Sequence, residues 1–189
     1  MVHVDSLPDA VLDQVAQGLG GKLQMLDPKM TGVRVGLAES FRVWLLKDAH
    51  GGETLEELAT PTPQWHHQIH TMEGRVVAFA RSIHPPVGED DIPALVRSGI
   101  AARLDDTFEW LDEHAPDLSE VRLLVVPTYH LHAFWIISDG ESSVAASDFP
   151  EESLALEHHY LYPEREFLAV LKLAEPITGV HMAYELADG

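Results

Sequence analysis

Twelve of the 189 residues are histidine, and seven of them fall in three tight groups: His66, His67 and His70; His130 and His132; His158 and His159. Histidine titrates nearest to neutral pH and is the commonest metal ligand, so its spacing is the first thing to weigh. On a strand, side chains two apart share a face at roughly 6.6 Å, close enough for both imidazoles to reach one ion at about 2.0 to 2.1 Å each. His130 and His132 meet that condition and are the expected metal pair. Residues four apart on a strand stand on the order of 13 Å from one another, so His66 and His70 share an ion only on a helix. His158 and His159 are adjacent and point to opposite sides of any strand. A centre on His130 and His132 needs a third ligand, for which Asp148, Glu141, His66 and His70 are the candidates. Zinc, iron or manganese is the cofactor class such a set admits. The competing reading is plain: two satisfied histidines on a sheet face covered by a helix, or exposed to solvent.

A second constellation lies between Trp65 and Ile83. Glu73-Gly74 reads as a hairpin turn, which sets Met72 opposite Arg75 and His66 opposite Arg81. Val77, Phe79 and Arg81 then share a face with His66, Gln68 and His70, an apolar patch on which polar groups converge. Such a face suits a ligand pocket and equally suits a packed helix. Trp135, with Tyr160 and Tyr162, adds aromatic surface for a ligand or partner. The familiar catalytic signatures are missing. The chain has no His-Glu-x-x-His, no Gly-x-Ser-x-Gly, and no phosphate-cradling glycine pattern. The paired acids Asp90-Asp91, Asp105-Asp106, Asp112-Glu113 and Glu151-Glu152 fall in loops or on polar helix faces, where solvated charge is expected.

These groups need elements to hold them. The stretch Leu123 to Phe149 carries an Asp139-Gly140 pair between two apolar runs, a strong signal for a type I′ hairpin. Pairing Ser138 with Glu141 puts Tyr129, Leu131, Ala133, Trp135, Ile137, Val144 and Ala146 on one side. His130, His132, Phe134, Ile136 and Ala145 fall on the other. Upstream, Ser6 caps a first helix that Gly18 to Gly21 end. Lys22 to Leu26 and Val33 to Leu37 read as strands around Asp27-Pro28. Phe41 to Lys47 fits both periods and is read as a strand because the run is short. Ile92, Leu95, Val96, Ile100, Leu104, Phe108 and Leu111 recur at helical spacing, with Gly99 as a bend point and Pro116 as the stop. Pro163 starts a last helix, and Val180 to Leu186 reads as an edge strand. The expected architecture is one α+β domain over residues 1–189: a mostly antiparallel sheet with two or three helices packed mainly on one face.

Composition narrows the function classes. With 31 acidic against 12 basic residues the net charge is -19, which repels phosphate backbones, so no nucleic-acid partner is expected. No Lys or Arg appears between Arg122 and Arg165, a region that attracts a cation or a basic partner surface. Absence of cysteine removes disulfides and thiolate ligands. No apolar run approaches the roughly 20 residues of a membrane span, and the N-terminus lacks a secretory pattern, so a soluble cytoplasmic protein without membrane association is expected. The sequence carries no mark of a particular oligomeric state.

The run from Trp65 through EGRVVAFARSIHPP to IPALVRSGIAARL, followed by SDGESSVAASDFP, resembles the hairpin, proline break, helix and closing hairpin of the chorismate lyase-like fold. That fold also serves as the effector-binding domain of some bacterial transcription regulators. The resemblance implies a small-ligand pocket for aromatic carboxylates. Where the lyase has a catalytic arginine shortly after the tryptophan, this chain has His66-His67, and its glutamate falls near Ala146 or Ser147. The leading expectation is a non-catalytic binding or adaptor domain that engages a partner protein or small ligand through the acidic, histidine-bearing sheet. Two alternatives stand beside it: a metal-dependent enzyme on His130 and His132, and an aromatic-carboxylate binder. The residues expected to line a ligand site are Arg81, Phe79, His66, His70 and Trp135.

Overall fold

Alternating apolar and polar residues build a single, mostly antiparallel sheet. The computed structural model describes residues 3–4, 8–9, 15, 19, 34–84, 94–96 and 99–177. In chain order the elements are β1 (His3–Val4), β2 (Val35–Leu46), α1 (Leu55–Leu58), β3 (Ala59–Thr71), β4 (Val76–Ile83), β5 (Ala94–Val96) and α2 (Gly99–His114). They continue as β6 (Glu120–Val126), a 3-10 turn at Pro127–Tyr129, β7 (Leu131–Ser138), β8 (Glu141–Asp148), β9 (Tyr162–Pro163) and α3 (Glu164–Leu173). The strand order is β5-β4-β3-β2-β6-β7-β8-β9, with β1 also beside β6. The β2–β6 and β1–β6 pairings are parallel, and the others are antiparallel. No helix among the described residues is long and apolar enough to cross a membrane.

Both expected hairpins form, but at Glu73-Gly74 Thr71 rather than Met72 meets Arg75, and a register shift between Ile69 and His70 restores the expected pairing farther along. His66 pairs with Arg81, and Ser138 pairs with Glu141. Asp139 and Gly140 both have positive φ, 50° and 81°, as a type I′ turn requires. The two strands expected before and after Glu39 are one strand, β2, which passes through the polar centre by bulging between Leu37 and Ser40 and again between Arg42 and Trp44. Leu95 and Val96, expected in the helix, lie in β5 and pair with β4. A short apolar run fits both periods, and here the open edge of β4 offers backbone partners. The helix starts at Gly99 and ends before Pro116. Of the expected first helix, Asp9 and Val15 are helical and Pro8 is not, and Leu19, inside the expected stop at Gly18 to Gly21, is helical as well. Lys22 to Leu26, Asp27-Pro28, Asp90-Asp91 and Val180 to Leu186 lie outside the described residues.

The helices divide between the faces of the sheet. Leu104 and Leu111 of α2 pack with Phe41, Leu123, Phe134, Ile136 and Ala145. Phe167, Leu168 and Leu171 of α3 pack with Leu131, Ala133, Trp135, Val144 and Ala146 on the other side. Strand alternation enforces this: Val144 and Ala146 face one way and Ala145 the other. Beneath α2, Phe41, Phe108 and Phe134 meet with ring centroids 5.0, 5.2 and 5.7 Å apart.

The sheet also curls. His66 on β3 and His132 on β7 have β2 and β6 between them, a separation of about 14 Å in a flat sheet. Their ring centroids are 6.2 Å apart. Right-handed twist, with bulges in β2, at Ile69/His70 and at His132/Ala133, brings two corners of one face together around α2.

Replacing Phe134 by Ala removes a fully buried member of the aromatic trio and leaves a cavity under α2. It should cost about 3–5 kcal/mol in urea unfolding. A loss below about 1 kcal/mol would show that these rings do not form a common core.

Candidate functional site

The face beneath α2 is apolar at its centre and polar at the curled corner. β3 contributes His66, Gln68 and His70 to it; β4 contributes Phe79 and Arg81, which pair with Gln68 and His66. Phe79 stacks on His66 at 4.6 Å and 26°, and His66 faces His132 at 29°. His132 Nδ1 lies 3.5 Å from Asp148 Oδ2, and Arg103 Nε of α2 donates to Asp148 Oδ1 at 2.5 Å. The result is a chain of groups running from Phe79 through two imidazoles to a carboxylate and a guanidinium.

Electrostatics along this chain are uneven. His66 is fully buried; desolvation, with His132, Arg81 and His67 adding, holds its pKa well below the ordinary value, so it is neutral at pH 7. Burial works to raise the Asp148 carboxyl, but the His132 imidazole and the Arg103 guanidinium outweigh it and the net direction is down. Asp148 is therefore ionised and anchors the exposed end. Arg81 supplies a fixed positive charge at a part-exposed position beside His66.

His67 points to the other face, where its Nδ1 is 2.9 Å from Ser40 Oγ and its Nε2 is 2.7 Å from Ser82 Oγ. Both ring nitrogens are answered by hydroxyls from the flanking strands. Burial pushes its pKa down to about 4. It is a cross-strand tie, neutral at pH 7.

A second cluster sits farther along β3. His70 Nε2 is 2.8 Å from Asp105 Oδ1 of α2, and Glu39 of β2 completes a set whose ligand-capable atoms all lie within 4.8 Å of one another. Burial, with Glu109 and Glu39 adding, raises the Asp105 carboxyl, against the opposing effect of His70.

The structure thus brings Phe79, Arg81 and His66 together with His132, and it places His70 with two acids instead. Trp135 does not join them. It lies in the α3 core, 5.5 Å from Trp44, with the Arg122 guanidinium over both rings and its Nε1 donating to Ser142 Oγ. His130 does not share a strand face with His132. Pro127 ends β6 and opens the 3-10 turn, and His130 closes that turn in the left-handed region at φ 50°, one residue before β7 begins. The two-apart spacing carries no shared face once the backbone is not extended. Glu141 sits at the far hairpin tip, remote in register from His132. His158 and His159 lie on the exposed β8–β9 loop, where His159 contacts Asp106 at 2.8 Å and His158 stacks on Phe149.

Sequence reasoning missed Arg103, Asp105 and Glu39. Asp105 follows the buried Leu104 and precedes the buried Thr107 by two, so it borders the apolar stripe, and that was the available signal. A cleft of about 530 Å³ between Glu53-Thr54 and α3 contains none of these residues; Glu164, Arg165 and Lys172 line it, with Lys172 donating to Gly52 O.

A histidine whose folded pKa lies below its unfolded value binds fewer protons when folded. Stability conferred by neutral His67 is therefore complete above pH 6.5 and is lost as pH falls toward about 4. His67→Gln, which keeps a polar group between the two serines, should remove on the order of 3 kcal/mol of that acid sensitivity. Thermal melting across this range checks it, and an unchanged pH slope in the variant would contradict it. No protein-family model, no curated protein and no solved structure matches the chain, so the chemistry has to be read from its own residues.

Proposed function

We propose that the protein is a non-catalytic binding module that takes a small, planar carboxylate ligand at the curled corner formed by His66, Phe79, Arg81 and His132. The observation that carries this reading is the convergence of an arginine, two imidazoles and a phenyl ring from β3, β4 and β7 on one face, although the sheet order separates β3 from β7 by two strands. Arg81 supplies the charge and fork geometry that a carboxylate accepts. His66, held neutral, adds an imidazole to this face without adding a second charge. Phe79 backs the His66 imidazole with a stacked apolar ring. In a chain of net charge -19, an anion is held only where a cation has been placed for it.

Melting temperature measured with a panel of benzoate and hydroxybenzoate ligands tests the proposal. A ligand present at a hundred times its Kd stabilises by about 2.7 kcal/mol, which is a shift of roughly 5–10 °C for a chain this size. Arg81→Ala should abolish the shift, and Arg81→Lys should retain part of it. No shift across the panel, or an equal shift in the alanine variant, would remove the proposal.

A further inference from the structure

Glu39, His70 and Asp105 are 31 and 35 residues apart in the chain and come from β2, β3 and α2. Their ligand-capable atoms nevertheless lie within 4.8 Å of one another. Donors bound to one ion at about 2.0–2.2 Å each stand about 3.4 Å apart in a tetrahedral set, so closing this one on an ion takes side-chain movement on the order of 1 Å. We infer that Glu39, His70 and Asp105 form a binding site for a divalent transition-metal ion. The site stands apart from the carboxylate pocket and shares none of its four residues.

Charge, access and donor type all favour this. Among the described residues no Lys or Arg forms an ion pair with Glu39 or Asp105, so two carboxylates face one imidazole without a fixed cation. The His70 and Asp105 side chains are 19% and 14% exposed, sheltered enough to strengthen the field yet within reach of solvent. A separate observation points the same way. Gln68, two residues before His70 on the same face, is 3% exposed, and its Oε1 accepts from no described residue. Its Nε2 donates to Ala101 O, one helical turn before Asp105. An amide oxygen is thus sequestered between β3 and α2, a strand step of roughly 6.6 Å from His70. One imidazole nitrogen with two carboxylate oxygens suits manganese, iron or zinc better than magnesium or calcium, which favour all-oxygen sets. Three protein ligands from three elements leave coordination positions open to water.

Titration of the chelator-treated full chain with Mn2+, followed by the electron paramagnetic resonance of free Mn2+, and with Zn2+ by calorimetry, tests the inference. One ion per chain is expected. Glu39→Gln, His70→Ala and Asp105→Asn should each weaken binding roughly tenfold or more, while His130→Ala leaves it unchanged. Glu39→Gln carries the test if His70→Ala fails to fold, because it keeps the size of a side chain that contributes no described hydrogen bond. Absence of stoichiometric binding, or binding unaltered in Glu39→Gln and Asp105→Asn, would overturn the site and leave His70–Asp105 as a structural tie between sheet and helix. Neither result bears on the benzoate panel, so the two readings stand or fall separately.

Discussion

Water is largely excluded from the space between α2 and the sheet, so a polar group placed there is costly unless another answers it. At the centre of that space the answer is to have none: Phe41, Phe108 and Phe134 interlock with leucine and valine. At the curled corner the chain instead commits two histidines, an arginine, a glutamine and an aspartate to a low-dielectric setting, where unanswered groups are costly. Asp148 is answered by Arg103, Asp105 by His70, and the Gln68 amide nitrogen by a helix carbonyl. These contacts also fix the helix, since Arg103 and Asp105 reach toward different strands of the sheet. The position of α2 and the chemistry of the corner are therefore one arrangement.

Backbone irregularity makes that arrangement reachable. A regular sheet keeps β3 and β7 too far apart for their side chains to meet. The bulges in β2 fall on either side of Ser40 and Phe41, the bulge in β3–β4 falls at His70, and that in β7–β8 falls at His132. Two of them lie at histidines of the face beneath α2, His70 and His132. Bulges bend strands and re-aim side chains, and here they aim imidazoles inward.

The parts of this fold governed by local rules were legible in the sequence. Asp139-Gly140 sets its hairpin register, whereas Glu73-Gly74 marks the place of the other turn and the His66–Arg81 pairing depends on the bulge between Ile69 and His70. Pro163 marked the start of α3. What was not legible depends on long-range geometry. The alternating run puts His130 inside the same strand as His132, but the proline three residues earlier opens a turn that spacing alone does not reveal. Trp135 offers aromatic surface in the sequence, but the alternation that puts His132 on one face puts Trp135 on the other. Asp105 looked solvated because periodicity marks only the middle of the buried stripe. Glu39 gave no signal, since its partners lie on an adjacent strand and on a helix after it in the chain.

The parallel junction between β2 and β6 has a consequence for assembly. The antiparallel partners on either side of it, β3 with β4 and β7 with β8, are joined by tight turns and collapse from neighbouring segments. Val43 to Leu45 instead pair with Leu123 to Val125, each eighty positions farther along the chain. Loop-closure entropy makes such a contact slow to form and places it late. Refolding should thus show two rapidly ordered halves whose merger limits the rate, with the polar corner completed only when that merger is done.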